Sequence, residues 1–230
     1  RLQFHVCLAP LPGLLHAIPS QRQPHLLLLA SSLLFRSRRR CAAPIHHLLD
    51  VATGTADMAL MAYQQIKPHR ITGMDISEGM MQYGRIKIAQ KGLSDIIELK
   101  SGDSIAIPFE ENTFDGAMVA FGVRNFADLE KGLAEMYRVL TPGSKIVILE
   151  FSQPSQFWFK PIHNIYMKWI TPNIGKLFSG NKAAYAYLNE SVIAFPEGKA
   201  FLSILEKAGF KNIHQQKLSL GICSIYCGDK

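Results

Sequence analysis

One stretch of ten residues, 48–57 with the sequence LLDVATGTAD, restricts the fold more than any other part of the chain. It begins with apolar residues typical of a buried strand, continues into small residues, and leads into a helix-like pattern. Small side chains and Gly54 allow a ligand to approach the backbone closely, and the first N–H groups of the following helix are free to bind it. The stretch therefore predicts a strand–turn–helix unit with a ligand site at the turn.

The chain after residue 45 alternates short apolar runs with helix-like segments. This order is typical of a parallel sheet that helices cover on both faces. We therefore predict an α/β fold with a doubly wound, mostly parallel, seven-stranded sheet. An aromatic-rich segment at 155–196 interrupts the alternation before the last helix, and we interpret it as a helical insertion on the substrate side. The predicted strands are 46–52, 70–76, 96–100, 114–120, 145–151, 211–218 and 221–227, and the predicted helices are 55–66, 78–90, 127–140 and 197–208.

Three acidic residues, Asp50, Asp75 and Asp103, stand at or near the ends of predicted strands. Ligands of a doubly wound sheet bind beyond the carboxyl ends of its strands, so these side chains should converge on one crevice. Asp75 is placed to accept both hydroxyls of a ribose. Asp50 has a second interpretation, in which it only anchors the turn, and Asp103 has one as the cap of a short helix near Ser104. No metal site is predicted, because each acid stands on a separate strand without a histidine beside it.

The net charge of +7 does not belong to the predicted domain. Residues 1–49 contain six arginines and neither lysine nor acid, whereas the other 181 residues carry 19 bases and 18 acids. The predicted domain is therefore nearly neutral, which argues against nucleic acid as its partner.

Residues 1–45 differ in composition from the rest of the chain, because they lack Asp, Glu, Lys, Met and Tyr. Three explanations stay open: an organellar transit peptide, a secretory signal, and a misread or out-of-frame segment. The arginine cluster follows the apolar stretch instead of preceding it, which disfavours the secretory signal, and we favour the out-of-frame segment. We thus expect an atypical segment at 1–45 and one domain at 46–230.

Several segments carry a family resemblance. LLDVATGTADMA, MDIS, GDSIAIPF and the segment from NTFDGAM to KIVILEF resemble the class I S-adenosylmethionine-dependent methyltransferases. FGVRN, PNIGKL and AYAYLNESVIAFP are similar to the menaquinone and ubiquinone biosynthesis C-methyltransferases in particular. The resemblance covers about residues 46–230. It implies a Rossmann-like fold and methyl transfer from S-adenosylmethionine to a ring carbon of a prenylated quinol, with demethylmenaquinol as the first expectation.

The same resemblance implies which residues hold the cofactor. Thr55 with the Gly54 turn would bind the methionine part of S-adenosylmethionine. Asp75 would bind the ribose, and Asp103 with Ser104 would bind the adenine.

On the acceptor side, the resemblance points to Arg124 and Asn125, which follow the fourth predicted strand. They would hold a quinol oxygen or a water that takes its proton, and a turn with a solvated arginine is the alternative. Tyr166, Tyr185 and Tyr187 of the aromatic segment are the candidates for binding the acceptor, although most aromatic residues at helical spacing belong to a core.

The sequence also departs from the family pattern. Ala56 stands where many relatives have a second glycine, and the family's N-terminal helices have no counterpart in residues 1–45. An inactive or regulatory binding protein of the same fold is therefore an alternative function. An NAD-dependent oxidoreductase is a weaker one, because a GxGxxG motif is missing.

For location and partners, we expect a cytoplasmic protein with a peripheral contact at the inner face of the membrane, and a homodimer. The longest apolar run, at 26–35, is too short to span a bilayer.

Overall fold

A computed structural model of the protein describes residues 45–153, 187 and 190–230. The predictions for the N-terminal segment up to residue 44, for most of the aromatic insertion, and for Tyr166 and Tyr185 lie outside the described residues.

The described part of the chain contains a seven-stranded sheet with helices on both faces. Its strands are β1 (His47–Val51), β2 (Arg70–Asp75), β3 (Ile97–Ser101), β4 (Phe114–Ala120), β5 (Leu140–Phe151), β6 (Lys211–Leu218) and β7 (Cys223–Asp229). The helices are α1 (Asp57–Ile66), α2 (Glu78–Gln90), α3 (Leu129–Val139) and α4 (Lys199–Lys207), with short 3₁₀ helices at Val123–Asn125 and Ser219–Gly221.

The strand order is β3-β2-β1-β4-β5-β7-β6. Strands β1 to β5 are parallel, β7 runs antiparallel to β5, and β6 runs antiparallel to β7. The predicted doubly wound, mostly parallel sheet is thus confirmed. Because the chain leaves β1 toward β2 on one side and later returns to β4 on the other, the crevice of this sheet lies at the carboxyl ends of β1 and β4.

Helix α3 and strand β5 differ most from the sequence prediction. The side chain of Asp128 accepts a hydrogen bond from the backbone N–H of Lys131 at 3.0 Å, so the helix begins directly after this cap. Leu140 is already extended, and β5 starts there instead of at residue 145. Pro142 keeps the helix from continuing beyond this point, because proline disfavours helical backbone in the residue before it, Thr141.

Smaller differences have local causes as well. Helix α1 begins two residues later than predicted because Ala56 has a left-handed φ of 61°. Strand β7 continues to Asp229, which pairs with Lys145 in β5. A short 3₁₀ helix at Ser219–Gly221 connects β6 to β7.

The core consists of two apolar clusters on opposite faces of the sheet. Leu48 of β1 packs in the cluster under α1 and α2, with Leu60 and Met81, whereas Leu49 packs in the other cluster. The second cluster contains buried residues of α3 and α4, among them Leu133, Met136, Phe201 and Leu205. The alternation of neighbouring residues between faces is what a strand covered on both sides requires.

Gly73 in β2 allows the turn after β1 to pack directly onto the sheet. A Cβ atom at this position would lie 2.5 Å from Cδ2 of Leu99 and 2.8 Å from Oγ1 of Thr53. Both neighbours are buried, so neither can move away freely. Gly73 is two residues from the carboxyl end of β2. Because it has no side chain, Thr53 of the neighbouring turn can pack against the strand there.

We predict that Gly73→Ala lowers the free energy of unfolding by about 1 to 3 kcal/mol, the usual cost of overpacking a core. Gly116→Ala in β4 is the matched control, since its Cβ would meet nothing closer than Cδ1 of Leu48 at 3.4 Å. We expect the control to stay within about 0.5 kcal/mol of the wild type. Urea unfolding of the full chain measures both, and equal effects would contradict the packing argument.

Candidate functional site

The turn between β1 and α1 has an unusual backbone. Ala52, Gly54 and Ala56 all adopt left-handed conformations, with φ of 54°, 55° and 61°. Glycine takes this conformation freely, but alanine pays about 1 to 2 kcal/mol for it. The turn therefore needs strong interactions to keep its shape, and two carboxylates provide them.

Asp50 is the first of these carboxylates. It is buried near the end of β1, and its Oδ2 accepts a hydrogen bond from the Thr53 hydroxyl at 2.6 Å. The backbone N–H of Ala59, in the first turn of α1, also acts on this carboxyl and lowers its pKa. The pKa of the Asp50 carboxyl is raised to about 7, chiefly by burial and to a smaller extent by the negative charge of the nearby Asp75. Asp50 thus joins strand, turn and helix, the anchoring role that the sequence left open.

Asp75 is the second, and it links the turn after β1 to the turn after β2. Its Oδ2 accepts a hydrogen bond from the backbone N–H of Gly54 and its Oδ1 one from Ser77, both at 2.8 Å. The carboxylate is half-buried, and each oxygen can accept a further hydrogen bond. Beside it, the side chain of Ile76 is 69% exposed and forms an apolar surface.

Thr55 turns its hydroxyl away from this carboxylate. The hydroxyl donates to Asp57 at 2.6 Å, and Asp57 pairs with Lys87 of α2 at 2.7 Å. The Asp57 side chain therefore connects α1 to α2 and also holds the Thr55 hydroxyl. The backbone of the turn remains beside Asp75.

Asp103 and Ser104 follow β3. Asp103 is exposed, and its Oδ1 accepts hydrogen bonds from the backbone N–H of Ile105 at 3.1 Å and from the Ser104 hydroxyl at 3.5 Å. The carboxylate thereby shapes a turn and caps no helix. Gly102, just before it, donates its N–H to the carbonyl oxygen of Asp75 at 3.1 Å, so this turn borders the Asp75 site.

Arg124 lies after β4 and is almost entirely buried, with 10% of its side chain exposed. Its Nη1 donates to Oε1 of Glu150 at 2.6 Å and to the carbonyl oxygen of Phe121 at 2.6 Å. Its Nε donates to the hydroxyl of Ser191 at 3.3 Å. Among the described residues, Nη2 has no partner. The arginine is paired and buried, so the alternative of a solvated arginine is wrong.

Asn125 and Tyr187 meet at the rim of the same loop. The Tyr187 hydroxyl donates to Oδ1 of Asn125 at 3.1 Å, and both side chains are exposed. The structure thus brings together one residue predicted for catalysis and one predicted to bind the acceptor.

Thr53 and Glu150 contribute to the site although the sequence did not predict them. Glu150 is fully buried at the end of β5, where burial raises the pKa of its carboxyl and the adjacent Arg124 opposes this. Its signal was an acid within the apolar segment KIVILEF. Thr53 had no comparable signal, because a threonine in a turn is ordinary.

The two parts of the site adjoin one another. A Cβ atom on Gly122, in the loop of Arg124, would lie 2.5 Å from Cβ of Ala52 in the turn after β1. The Asp50 and Asp75 turns and the Arg124 loop therefore border one crevice at the carboxyl edge. In the described ranges no group of three or more His, Cys, Asp or Glu side chains is arranged to hold a metal ion. No described helix is both long and apolar enough to cross a membrane.

Comparison with known proteins gives a consistent result. The model of the ubiE/COQ5 methyltransferase family matches residues 33–230. A demethylmenaquinone methyltransferase of Bacteroides fragilis is 44% identical over 183 residues, which are 80% of this chain and 75% of that protein. The ubiquinone/menaquinone biosynthesis C-methyltransferase UbiE of Geotalea daltonii is 43% identical over 202 residues, covering 85% of this chain and 86% of that protein.

Solved structures share the fold. An S-adenosylmethionine-dependent methyltransferase from Aquifex aeolicus superimposes with a TM-score of 0.58 at 19% identity, covering 89% of this chain and 92% of that one. A phosphoethanolamine N-methyltransferase from Haemonchus contortus, solved with S-adenosyl-L-methionine, gives a TM-score of 0.62 at 13% identity, covering 86% of this chain and 52% of that one. At such low identities, the structural similarity establishes the fold alone.

We predict a pH dependence of stability that Asp50 causes. In the unfolded chain its carboxyl ionises from about pH 4, whereas in the folded protein its pKa of about 7 keeps the proton bound. The folded state thus binds more protons between these values, and stability falls as the pH rises through this window. Relative to Asp50→Asn, the wild type should lose about 2 kcal/mol between pH 5 and 7.5. Urea unfolding at both pH values measures this, and a constant difference between the two proteins would disprove it.

Proposed function

Because the chain belongs to the ubiE/COQ5 methyltransferase family, we propose that it transfers a methyl group from S-adenosylmethionine to a ring carbon of a prenylated quinol. Demethylmenaquinol is the first candidate, since relatives at 40 to 44% identity carry the name demethylmenaquinone methyltransferase. The observation that carries the proposal is the crevice itself: hydrogen-bonded carboxylates on one side and a buried arginine on the other.

The residues at the ends of β1 and β2 fit the cofactor. Asp75 has acceptor positions left for the two ribose hydroxyls, and Ile76 beside it offers an apolar surface. The turn at Gly54 and Thr55 would hold the methionine part, and Asp103 with Ser104 would border the adenine. The carboxylate of Asp75 also attracts the positive charge of a sulfonium group. When bound, S-adenosylmethionine supplies an electrophilic methyl group.

Arg124 would act on the acceptor. A ring carbon that gains a methyl group must lose one proton, and the quinol oxygen gains negative charge as that carbon becomes nucleophilic. A guanidinium keeps its own protons at neutral pH, so Arg124 does not take this proton, which passes to water. Instead, its positive charge stabilises the oxygen, with Nη2 as the available donor. Asn125 and Tyr187 at the rim would orient the ring, because alignment supplies much of the rate of such a reaction.

A single assay separates the proposal from its alternatives. The enzyme, demethylmenaquinol and S-adenosylmethionine with a deuterated methyl group should give a quinol with a mass increased by one labelled methyl. An inactive binding protein gives no such product, and an oxidoreductase changes the mass by hydrogens alone. Titration calorimetry with S-adenosylmethionine and with NAD then shows which nucleotide the crevice binds.

Two substitutions test the two halves of the site separately. Asp75→Ala should weaken binding of S-adenosylmethionine by about 1.5 to 3 kcal/mol, since it removes a charged acceptor. Arg124→Ala should leave that affinity nearly unchanged and lower kcat by at least about tenfold. Each variant is the control for the other in calorimetry and turnover assays. Loss of cofactor affinity in Arg124→Ala alone would contradict the assignment.

Contact with a lipid surface and a homodimer also belong to the proposal. Exposed apolar side chains support the lipid contact: Leu220 between β6 and β7, and Ile193 close to Ser191. A prenylated acceptor resides in lipid, so the crevice must open toward it. Sedimentation velocity measures the oligomeric state.

Vesicle flotation tests the lipid contact. Ile193→Glu and Leu220→Glu should each lower partitioning onto phospholipid vesicles by about tenfold, because each removes roughly 1.5 kcal/mol of apolar burial. Ile86→Glu is the matched control, since Ile86 is equally apolar and exposed but lies on α2. The contact is refuted if all three variants bind vesicles like the wild type.

A further inference from the structure

Glu150 is the buried acid that the proposed chemistry leaves without a role. It is the second-last residue of β5, at the carboxyl edge of the sheet, and its side chain has no exposed surface. Its Oε1 accepts hydrogen bonds from Nη1 of Arg124 at 2.6 Å and from the backbone N–H of Phe151 at 2.8 Å. Its Oε2 accepts a bond from the backbone N–H of Arg124 at 3.3 Å. One carboxylate thus holds both the guanidinium and the backbone of the same residue.

Stability alone does not explain this pair. A buried ion pair costs desolvation energy for both charges, and apolar residues of similar volume are often as stable. Strand β5 is otherwise apolar where it meets the core, with Ile148 and Leu149 fully packed. The pair instead fixes the orientation of Arg124, because three hydrogen bonds hold a side chain that has four rotatable bonds.

Four contacts set the orientation of the guanidinium. Glu150 and the carbonyl oxygen of Phe121 hold Nη1, Ser191 holds Nε, and the ring of Phe151 lies 5.3 Å from Cζ. Among these contacts, only Glu150 contributes a full negative charge. It therefore fixes the direction of Nη2 and compensates the charge of an arginine that is withdrawn from water.

We propose that Glu150 is a positioning residue for methyl transfer: it holds Arg124 in the orientation that stabilises the quinol oxygen. This inference rests on the proposed function of Arg124. Glu150 also bonds the backbone of the 3₁₀ helix that carries Asn125, so the pair that Asn125 forms with Tyr187 depends on the same carboxylate.

The central variant is Glu150→Gln, which keeps the shape and one acceptor but removes the charge. We expect kcat to fall by at least about fivefold, while the Kd for S-adenosylmethionine changes less than about twofold. Asp229→Asn is the matched control, because Asp229 forms an ion pair with Lys145 at the opposite end of the paired strands β5 and β7. The control should keep the wild-type kcat. Wild-type kcat in Glu150→Gln would overturn the proposal.

A double variant separates positioning from a structural role. If Glu150 acts through Arg124, then Arg124→Ala/Glu150→Gln should be no slower than Arg124→Ala, because the second substitution has nothing left to position. A structural role would make the losses multiply and would overturn the proposal. The double variant also leaves no unpaired buried charge, so it remains informative where a single variant does not fold.

Chemical rescue provides a readout that folding does not affect. Free guanidinium ion, at concentrations far below those that unfold proteins, should restore part of the turnover of Arg124→Ala. The carboxylate of Glu150 is still present in this variant to bind the ion. It should not restore the double variant. Equal rescue of both would overturn the role of Glu150. A wild-type enzyme that forms no methylated quinol would instead refute the proposed function, so the two failures are distinguishable.

Discussion

The site depends on one constraint: the turn after β1 must keep three left-handed residues, two of them alanines, in place. Asp50 does this by accepting a hydrogen bond from the Thr53 hydroxyl, and Asp75 does it by accepting one from the backbone N–H of Gly54. The shape of this turn determines where α1 begins and where Thr53 packs on Gly73. It thereby also determines where the crevice opens. A carboxylate with a raised pKa and a strained backbone are therefore parts of the same arrangement, since each persists only because the surrounding structure determines it.

The sequence was sufficient for the sheet because that signal is repeated. Strands β1 to β5 each contain a short apolar run, and helices connect β1 to β2, β2 to β3 and β4 to β5, so small errors in single bounds do not change the topology. The errors occurred where one residue decides. Helix α1 begins later than predicted because of the φ of Ala56, and α3 begins later because Asp128 caps it. Pro142 disfavours helix after Val139, where β5 begins. Such effects depend on local backbone geometry, which periodicity does not report.

The site was predictable in part for a related reason. Asp50, Asp75 and Asp103 stand at strand ends, and topology alone brings strand ends together. Arg124, Asn125 and Tyr187 were found by resemblance, but the partners of Arg124 were not. Glu150 is 26 residues from Arg124 and Ser191 is 67 residues away. Pairing over such distances follows from the register of β4 and β5 and from the chain that returns over them, and one sequence without its structure does not contain that register in readable form.

The charges of the crevice separate its two ligands. Both carboxylates that border the turn lie at the ends of β1 and β2, whereas the only strongly buried cation of the described residues near the crevice is on the β4 side. A positively charged methyl donor is favoured beside the first group, and a quinol oxygen that gains negative charge is favoured beside the second. The opposite placement would bring like charges together at both ends of the reacting pair. In the proposed function, electrostatics therefore favours the donor on the β2 side and the acceptor oxygen on the β4 side, and shape has to bring the ring carbon, the methyl carbon and the sulfonium sulfur into line.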